Sequence, residues 1–520
     1  MNAPRQVDVA IVGGGLAGLL LALQLQRARP GLSIAVFERA RERTRKVGES
    51  TVEIATNYLL RRLRLSTYLY ERHLPKNGLR FFFDTPGRDA ELTQMSEIGS
   101  HGLPLLPTFQ VDRARLETDL MVMLEERGVD LRCGVKVVEV ALGEGRDRHR
   151  VTLEDDATRE VYTCRWLVDA SGRASVLARQ QRLRVPEAHA LAAVWGRVTG
   201  LEDLDAHPDE AWRARVRHTS RLLSTNHFCY PGYWIWLIPV GEGVTSVGVV
   251  CERGRFRDAV RRRDGFLAFL REHAAVRSLL TRVDLLDIGS LGQVSYGTKR
   301  FFSPGRWGLT GEAGAFTDPF YSPGSDFIAL ANDFLSALIC ADLDGEDIEE
   351  RCAAYDEYMQ FRYEATMLLY RDLYATLASY ELYRLKWNFD IACYYNLWLA
   401  PYMLDEHLPV KAIASELRRK ELVLQALRNF SRLFQTLEGE LRGRGQLHRH
   451  NLGQFYYGIA HIDWLEQIHG PRRRKDVLRT TERIFNGVRG EAVAILDGLR
   501  GEKSEPRLPL YEFMLDRSLS

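Results

Sequence analysis

The stretch that decides the fold is VDVAIVGGGLAGLLLALQLQRA, residues 7–28. Its first six residues are apolar apart from Asp8, which is typical of a buried parallel strand. Three glycines follow, and then a run of Leu and Ala with the composition of a helix. The segment SIAVFER, residues 33–39, predicts a second buried strand. Together these segments predict a β-α-β unit near the start of the sequence.

The glycines of this unit form the pattern G-x-G-x-x-G, with Gly13, Gly15 and Gly18 at its fixed positions. The first glycine permits a tight turn, the second lets the backbone approach a pyrophosphate, and the third admits close helix packing. Glu38 ends the second strand, where a carboxylate can accept a hydrogen bond from a ribose 2′-hydroxyl and would repel a 2′-phosphate. The pattern therefore predicts a dinucleotide cofactor without a 2′-phosphate. Further candidate contacts are Leu16, Ala17 and Arg39.

The composition excludes several classes of partner. The chain has 520 residues, and its 71 Lys and Arg against 69 Asp and Glu leave a formal charge of +2, so no global field selects nucleic acid. No run reaches the roughly 18–20 apolar residues that a membrane-spanning helix needs. The seven cysteines form no C-x-x-C pair and no zinc-like spacing with His, which predicts free thiols, no metal site and a reducing compartment, the cytoplasm.

Two later segments, WLVDASGR and TGEAGAFTDP, each join a short apolar strand to a glycine-containing turn. They resemble the second and third FAD signatures of the large family that includes aromatic hydroxylases and flavin-dependent halogenases. WLVDASGR, residues 166–173, places Asp169 after a short apolar strand. TGEAGAFTDP, residues 310–319, places Gly311, Glu312 and Asp318 at the end of another, with Glu312 where the family usually has Asp. The resemblance implies that the cofactor is FAD. It also implies flavin-site roles for Arg113 of QVDRARLETDL and for Glu49 and Ser50 of VGEST.

The remaining segments predict the domain organisation. Short strand-like runs between residues 151 and 300 predict a mostly antiparallel sheet, a long helix is expected from about 324 to 341, and helical spacing dominates after 345. The predicted fold class is α/β: a Rossmann-type FAD-binding domain with an inserted, mostly antiparallel β-sheet substrate domain and a helical C-terminal region. The expected boundaries are 1–80, 100–185 and 295–345 for the FAD-binding domain, 81–99 and 186–294 for the substrate domain, and 346–520 for the helical domain.

Two features favour the halogenases within this family. WIWLIP, residues 234–239, matches their W-x-W-x-I-P signature, although alternating tryptophans also suit a strand with one buried face. HLPKNGLRF, residues 73–81, places Lys76 where halogenases carry their essential lysine. The resemblance implies that reduced flavin and O2 oxidise a halide to hypohalous acid, which Lys76 then captures as a haloamine or orients by a hydrogen bond.

The segment DPFYSPGSDF, residues 318–327, argues partly against halogenation. Halogenases of the phenol and pyrrole type commonly read DPxFSSGVH at this place; Gly324 keeps that pattern, whereas Pro323, Ser325 and Asp326 depart from it. Gly324 and Ser325 are the candidate halide contacts. Pro323 removes a backbone donor, and Asp326 is expected to bring a negative charge close to the anion.

The favoured hypothesis is a halogenase that receives reduced flavin from a separate reductase and acts on a small or carrier-tethered aromatic substrate. The alternatives are an FAD monooxygenase or dehydrogenase without halide chemistry, and a flavin-binding protein that has lost catalysis. A basic run at 472–475 is expected as a solvated face, with docking of an acidic carrier domain as the alternative. An aromatic cluster in the C-terminal region is expected mainly as helical core, with a substrate lid as the alternative; its members are Tyr370, Tyr374, Tyr380, Tyr383, Trp387, Phe389, Tyr394, Tyr395, Trp398 and Tyr402.

Overall fold

A computed structural model describes residues 3–102, 104, 106–145, 147–155, 158–457, 474–501 and 508–519. Of the basic run at 472–475, residues 472 and 473 lie outside these ranges. Within the ranges, every helix is too short or too polar to cross a membrane. All seven cysteines are described and are free thiols, which confirms the sequence prediction.

The strands of the described residues are short at the edges of the sheets and long at their centres. In chain order they are β1 Arg5–Val12, β2 Ile34–Glu38, β3 Leu74–Pro75, β4 Leu79–Phe83, β5 Ser96–Ile98, β6 Phe109–Gln110, β7 Asp130–Cys133, β8 Lys136–Ala141, β9 His149–Glu154, β10 Arg159–Asp169, β11 Arg184–Pro186, β12 Leu191–Thr199, β13 Thr225–Tyr230, β14 Tyr233–Gly241, β15 Val244–Glu252, β16 Asp284–Leu285, β17 Gly289–Leu291, β18 Tyr296–Thr298, β19 Phe302–Ser303, β20 Trp307–Leu309 and β21 Phe455–Tyr456.

The α-helices become longer after residue 324. In chain order they are α1 Leu16–Ala28, α2 Glu53–Asn57, α3 Ser66–Arg72, α4 Arg113–Glu125, α5 Val176–Gln180, α6 Glu210–Ala214, α7 Arg263–Arg271, α8 Ala274–Leu279, α9 Gly324–Leu343, α10 Glu349–Met367, α11 Tyr380–Ala392, α12 Ala400–Met403, α13 Val410–Leu417, α14 Lys420–Gly443, α15 Arg474–Arg500 and α16 Leu510–Leu515.

The first sheet carries the glycine-rich turn at its centre. Strand β1 pairs in parallel with β2 on one side and with β10 on the other, and the order continues to β7 at one edge and through β20 to β19 at the other. Both faces of β1 are buried: Val9 and Ile11 pack into one core, and Ala10 and Val12 into another. Helix α1 then packs against α4 and α9. This arrangement confirms the β-α-β unit that the sequence predicts.

The second sheet is mostly antiparallel, as expected, and has the order β16-β12-β15-β14-β13-β4-β5-β21 with β17 beside β12. Strand β4 joins it in parallel with β13, so the segment that follows Lys76 is anchored in the substrate-side sheet. The described part of the C-terminal region is mostly helical, and its strand β21 extends this sheet in parallel with β5. The fold class is confirmed, while the exact domain boundaries given above stay a prediction.

Candidate active site

The glycine-rich turn is tight on the protein side and open on the other. Gly13 has a φ of +112°, and a Cβ there would lie 2.2 Å from the carbonyl oxygen of Ala170, which directly follows the neighbouring strand β10. A Cβ on Gly18 would lie 2.1 Å from the Gly13 oxygen, whereas a Cβ on Gly15 would meet no described atom within 4 Å. The open side of Gly15 is therefore a cradle at a helix N-terminus, which fits a pyrophosphate.

Glu38 lies directly beside this turn, as the sequence predicts. Its Oε2 accepts a hydrogen bond from the Gly14 amide at 2.9 Å, and its Oε1 accepts one from the Ala40 amide at 2.9 Å. The preceding strand thus holds the carboxylate at the edge of the cradle, within the region where a ribose would follow the phosphates. Arg39 is exposed. The ribose contact itself stays a prediction.

A first cavity, which we call the flavin cavity, continues from the glycine-rich turn between the two sheets. Its lining residues come from distant parts of the sequence, between Leu16 and Tyr363. The predicted residues that line it are Leu16, Glu49, Ser50, Arg113, Trp234, Trp236, Ile238, Gly311, Glu312, Gly324 and Ser325. Residues that sequence reasoning missed also line it, namely Arg173, Trp195, Thr225, His227 and Thr317.

Arg113 lines this cavity at the first turn of α4. Asp112 caps that helix by accepting from the Ala114 amide at 2.9 Å. The Arg113 guanidinium donates from Nη1 to the Val47 oxygen at 3.0 Å and from Nη2 to Glu117 Oε1 at 2.5 Å. Its Nε is buried and has no hydrogen-bond partner among the described residues. The arginine is therefore held in place with a donor to spare.

Two predicted cofactor residues lie behind the cavity lining and hold its turns. The Asp169 carboxylate accepts from the amides of Ser171 at 2.9 Å and Leu177 at 2.7 Å. Asp318 is fully buried, and its Oδ2 lies 2.7 Å from His189 Nε2. Both carboxylates thus already bind protein groups, so their contribution in this structure is to shape the turns that carry the lining residues.

The two glutamates of the flavin cavity are each paired with an arginine. Glu49 is buried and accepts from Arg197 Nε at 3.0 Å; burial raises the pKa of Glu49, and Arg197 opposes that shift. Glu312 lies 3.2 Å from Arg173 Nη1. Sequence reasoning missed both arginines, although Arg173 directly follows the glycine of WLVDASGR and could have been included with that signature.

The tryptophans of WIWLIP lie on one face of β14 and both contact the flavin cavity. Their ring centroids are 5.7 Å apart, and the Trp236 ring crosses β15 at Gly248, where a Cβ would come within 2.2 Å of the indole. Ile235 and Leu237 point to the opposite face and pack into a separate core. The two tryptophans of the family signature are therefore also the residues that strand alternation places on one face of β14.

Lys76 lies in a second cavity, which we call the aromatic cavity. Antiparallel pairing of β3 with β6 fixes the preceding residues, and the Lys76 amide donates to the Thr108 oxygen at 2.7 Å. The aromatic residues that line this cavity with Lys76 are Tyr321, Phe327, Tyr370, Trp387, Tyr394, Tyr395, Trp398, Tyr456 and Tyr457. Five of the aromatic residues predicted as helical core or lid are therefore cavity wall, and the other five are buried core.

The Lys76 side chain is buried, with an exposed fraction of 4%. Its Nζ donates to Ser50 Oγ at 2.8 Å and to the Thr51 oxygen at 2.8 Å. Burial lowers the pKa of Lys76 to about 7, with the carboxyls of Glu53 and Asp326 opposing the shift. The amine and the ammonium are therefore both populated near neutral pH.

The two cavities share a wall that hydrogen bonds cross. Ser50, which Lys76 contacts from the aromatic cavity, lines the flavin cavity and lies 2.8 Å from Thr225 Oγ1. Gln110 Nε2 donates to the same Thr225 oxygen at 2.9 Å. Phe327 lines both cavities. The lysine thus lies one side chain away from the flavin cavity while facing the aromatic one.

The carboxylate of Asp326 faces the aromatic cavity. Its Oδ1 accepts from the Ala55 amide at 2.9 Å and its Oδ2 from the Tyr394 hydroxyl at 3.1 Å, on the aromatic-cavity side. Gly324 and Ser325 line the flavin cavity instead. The Asp326 carboxylate and the two candidate halide contacts therefore face different cavities, because successive residues of the first turn of α9 point to different sides. The halide position itself stays a prediction.

Comparison with known proteins supports a flavoenzyme. The family model for the FAD binding domain matches residues 6–265, half of the chain. The chain is 28% identical over 445 residues to the flavin-dependent halogenase chlA of Dictyostelium discoideum, covering 78% of this chain and 72% of that protein. It is 27% identical over 347 residues to a pyrrole-2-carbonyl peptidyl-carrier-protein chlorinase of Pseudomonas fluorescens, covering 61% and 72%.

The fold agrees with solved structures of the same class. The crystal structure of halogenase PltM in complex with phloroglucinol and FAD superposes with a TM-score of 0.71 at 15% identity, covering 93% of this chain and 96% of that one. In this protein, the open cradle at Gly15 and the spare donor of Arg113 fit a flavin nucleotide. The chain belongs to the FAD-binding domain family and is an FAD-dependent oxidoreductase related to the flavin-dependent halogenases.

Proposed function

We propose that this protein halogenates an electron-rich aromatic compound, phenolic or pyrrolic, with Lys76 as the catalytic residue. The observation that carries the proposal is the position of Lys76, which is buried in the aromatic cavity and bonded to Ser50 in the wall of the flavin cavity. When bound and reduced, FAD would supply two electrons that bring O2 to the peroxide level, at which oxygen can oxidise chloride or bromide to hypohalous acid. The chemistry of this chain's own residues then decides where the halogen goes.

The halide is proposed to bind at the N-terminus of α9, beside Gly324 and Ser325. The first amides of a helix have no partner within the helix and favour an anion. Ser325 Oγ and Thr317 Oγ1 are buried, line the flavin cavity and have no hydrogen-bond partner among the described residues. Because the Asp326 carboxylate faces the other cavity, the segment of residues 318–327 surrounds this position with hydrogen-bond donors, although its sequence departs from the common halogenase pattern.

In either protonation state, Lys76 Nζ keeps one free donor or lone pair with which it can contact hypohalous acid. The ammonium has three N–H donors, of which Ser50 and Thr51 take two, so the third can bond to the oxygen of the acid. The neutral amine has two donors and a lone pair, which is free to take the halogen as a haloamine. In both cases the same fixed atom directs the electrophile into the aromatic cavity.

The final step balances without a further reagent. If Lys76 orients the acid, the O–X bond breaks, a C–X bond forms on the ring, and the ring proton leaves with the hydroxide as water. If Lys76 forms a haloamine, the O–X bond breaks at the amine and one N–H proton leaves with the hydroxide as water. The N–X bond then breaks as the C–X bond forms, and the ring proton returns to the lysine nitrogen.

A phenol or a pyrrole carries an O–H or N–H donor, and Asp390 Oδ1 is a buried acceptor in the cavity without a partner among the described residues. Aromatic walls suit such a ring because stacked and edge contacts add to its burial.

The partners follow from this chemistry. A separate flavin reductase is proposed to supply reduced FAD, since the sequence carries a single G-x-G-x-x-G unit. The substrate is a small molecule, either free or tethered to a carrier protein. Seven free thiols suit a reducing compartment, and we propose the cytoplasm.

The test uses FAD-loaded protein with a generic flavin reductase, NADH and O2, titrating chloride and bromide with electron-rich phenols and pyrroles. We expect a halogenated product that requires halide, and a loss of more than about 100-fold in Lys76→Met with flavin reoxidation unchanged. Lys136→Met, at an exposed position, is the matched control. A rate that rises with pH through about 7 supports haloamine formation, and one that falls supports hydrogen bonding by the ammonium.

Other outcomes identify the alternatives. A hydroxylated product, or oxidation that does not depend on halide, would assign the protein to the FAD monooxygenases or dehydrogenases and remove the catalytic role of Lys76. Bound FAD without O2 consumption beyond that of free flavin would indicate a flavin-binding protein that has lost catalysis. Full halogenation by Lys76→Met would contradict the proposed mechanism directly.

A further inference from the structure

We infer that Arg362 binds a carboxylate of the substrate in the aromatic cavity, so that the substrate is a free aromatic acid and not a carrier-bound thioester. The inference rests on the proposed function, since it names the substrate class of the same cavity. It is tested below by binding, so that it can fail or succeed separately from halogenation.

Arg362 is a buried cation with two unsatisfied donors, although its guanidinium also hydrogen-bonds the neutral Tyr358 hydroxyl. It belongs to α10, is 2% exposed and lines the aromatic cavity together with Lys76. Its Nε and Nη1 have no hydrogen-bond partner among the described residues. A buried guanidinium is normally paired, because leaving its donors unsatisfied costs more free energy than the pair itself contributes. The unpaired donors therefore indicate a missing anionic partner.

Trp398 adds a third unsatisfied donor at the same end of the cavity. The Arg362 guanidinium carbon lies 4.7 Å from the centroid of the Trp398 ring, and Trp398 Nε1 is buried without a partner among the described residues. The Tyr358 ring is the other aromatic neighbour, at 6.0 Å. These rings stabilise the cation in part, but they offer it no anionic oxygen.

The neighbouring acid does not fill this role. Asp326 interacts electrostatically with Arg362, yet its two oxygens accept from the Ala55 amide and the Tyr394 hydroxyl. Burial raises the pKa of Asp326 to about 7, so its charge is incomplete at neutral pH.

Glu53, the other acid near Asp326, accepts from the Tyr395 hydroxyl at 2.5 Å. The Arg362 Nε and Nη1 donors thus stay without an anionic oxygen, while Asp390 Oδ1 offers an acceptor elsewhere in the lining.

A carboxylate satisfies these groups better than the alternatives do. Its two oxygens carry a full negative charge and accept several N–H donors, and guanidinium is the side chain that pairs with it most readily out of water. An ester or a thioester has a neutral carbonyl and would leave the guanidinium without a counter-ion. A phenol bearing a carboxylate would also match the acceptor at Asp390. The lining therefore favours a hydroxyaryl acid in its free form.

The test measures binding to oxidised, FAD-loaded protein by calorimetry, without halide, reductase or turnover. The probes are 4-hydroxybenzoate and 3-(4-hydroxyphenyl)propanoate, each with its methyl ester and its N-acetylcysteamine thioester. The esters keep the phenol, so a preference for the acid isolates the carboxylate. We expect at least one acid to bind about 10-fold or more tightly than both of its esters, since charged hydrogen bonds in a buried site differ by this much.

The variants separate recognition from folding. Arg362→Met should abolish the preference for the acid, and Arg362→Lys should restore part of it. Arg351→Met is the matched control on the same helix, since Arg351 pairs with Glu346 at the surface and should keep the wild-type preference. Because the Arg362 donors are unpaired in the free protein, Arg362→Met should retain FAD and melt at the same or a higher temperature.

Two results would overturn the inference. One is equal binding of acid and esters, or no binding of any acid, in the wild type. The other is an unchanged preference for the acid in both Arg362→Lys and Arg362→Met, together with a sharp fall in the melting temperature of Arg362→Met. That combination would assign the arginine a purely structural role. Neither result depends on whether the enzyme halogenates.

Discussion

Gly15 is the residue at which the structure separates cofactor binding from folding most cleanly. A Cβ at Gly15 meets no described atom within 4 Å, so a larger side chain would enter the space where a pyrophosphate approaches the backbone. We expect Gly15→Val to lower FAD affinity by at least about 100-fold, with the melting temperature of the apoprotein nearly unchanged. Flavin fluorescence titration and thermal melts measure the two quantities.

Gly13→Ala is the matched comparison in the same turn. Its Cβ would lie 2.2 Å from a backbone oxygen, and its φ of +112° disfavours any side chain, so this variant should lose stability as well as flavin. If Gly15→Val bound FAD normally, the cradle would not be the phosphate site.

The lowered pKa of Lys76 predicts that the stability of the protein changes with pH in a defined direction. Its pKa is lowered to about 7 in the fold from an ordinary value of 10.5, so between these pH values the unfolded chain binds the extra proton. The free energy of unfolding should therefore rise with pH in wild type relative to Lys76→Met, by at most about 1.4 kcal/mol per pH unit. Urea denaturation at pH 7.5 and pH 9.0 checks this.

The comparison with Lys76→Met removes most of the contribution that other titrating groups make to the pH dependence of unfolding. One of these groups is Asp326, whose raised pKa of about 7 affects stability mainly below neutral pH. A difference between the two proteins that does not change with pH would mean that Lys76 is solvated and keeps its ordinary pKa. That result would also weaken both of the roles proposed for its amine.

Strand β14 shows how one element serves two purposes through its two faces. Ile235 is fully buried in the core behind the sheet, and Ile235→Ala should lower the free energy of unfolding by about 2–5 kcal/mol without changing the flavin spectrum. Trp236 faces the flavin cavity, and Trp236→Phe should shift flavin absorbance and quenching with a smaller loss of stability. Visible spectra and denaturation curves of the two variants check the prediction.

The reverse pattern would contradict this assignment of faces. A one-residue slip of β14 would move every side chain to the other side of the sheet, so the pair of variants also tests the register. Gly248 of β15 lies opposite Trp236 and leaves room for its ring, which favours the observed register of β14.

The π-helix Cys393–Leu399 is a second element with a functional consequence. It continues α11 and contributes Tyr394, Tyr395 and Trp398 to the aromatic cavity. Widened helical turns of this kind often occur at functional sites, because they redirect side chains that a regular helix would bury elsewhere. In this protein they turn part of an aromatic helix core into cavity wall.

At the scale of the molecule, the two cavities make it possible to separate oxidation of halide from transfer of halogen. Ile391 lines the aromatic cavity and not the flavin cavity, so Ile391→Trp should fill space needed by the substrate. We expect product formation to fall at least about 10-fold, while FAD binding and halide-dependent O2 consumption continue. Monochlorodimedone would trap the hypohalous acid that escapes.

Leu404→Trp is the control for this variant, since Leu404 is 51% exposed and lies outside the aromatic cavity lining. A parallel loss of FAD binding and product in Ile391→Trp would show that the cavities are not independent. Unchanged product formation would exclude the aromatic cavity as the site of the substrate.

The sequence by itself determined the β-α-β unit, the FAD cofactor and the family, because these depend on local patterns. The turn at Gly13, the alternation of β14 and the strand before Asp169 are each set by residues within about a dozen positions. Lys76 was also identified from sequence, through its place in a segment that resembles the halogenases.

Only the tertiary structure decided what surrounds those residues. The burial that lowers the pKa of Lys76, the direction of Asp326 and the unpaired donors of Arg362 arise where α2, α9, α10 and the π-helix meet. These segments are far apart in the chain, and a side chain's solvation and charge depend on neighbours that no local pattern specifies. The pattern therefore named the catalytic candidate, and the packing of distant elements gave it a cavity and a pKa.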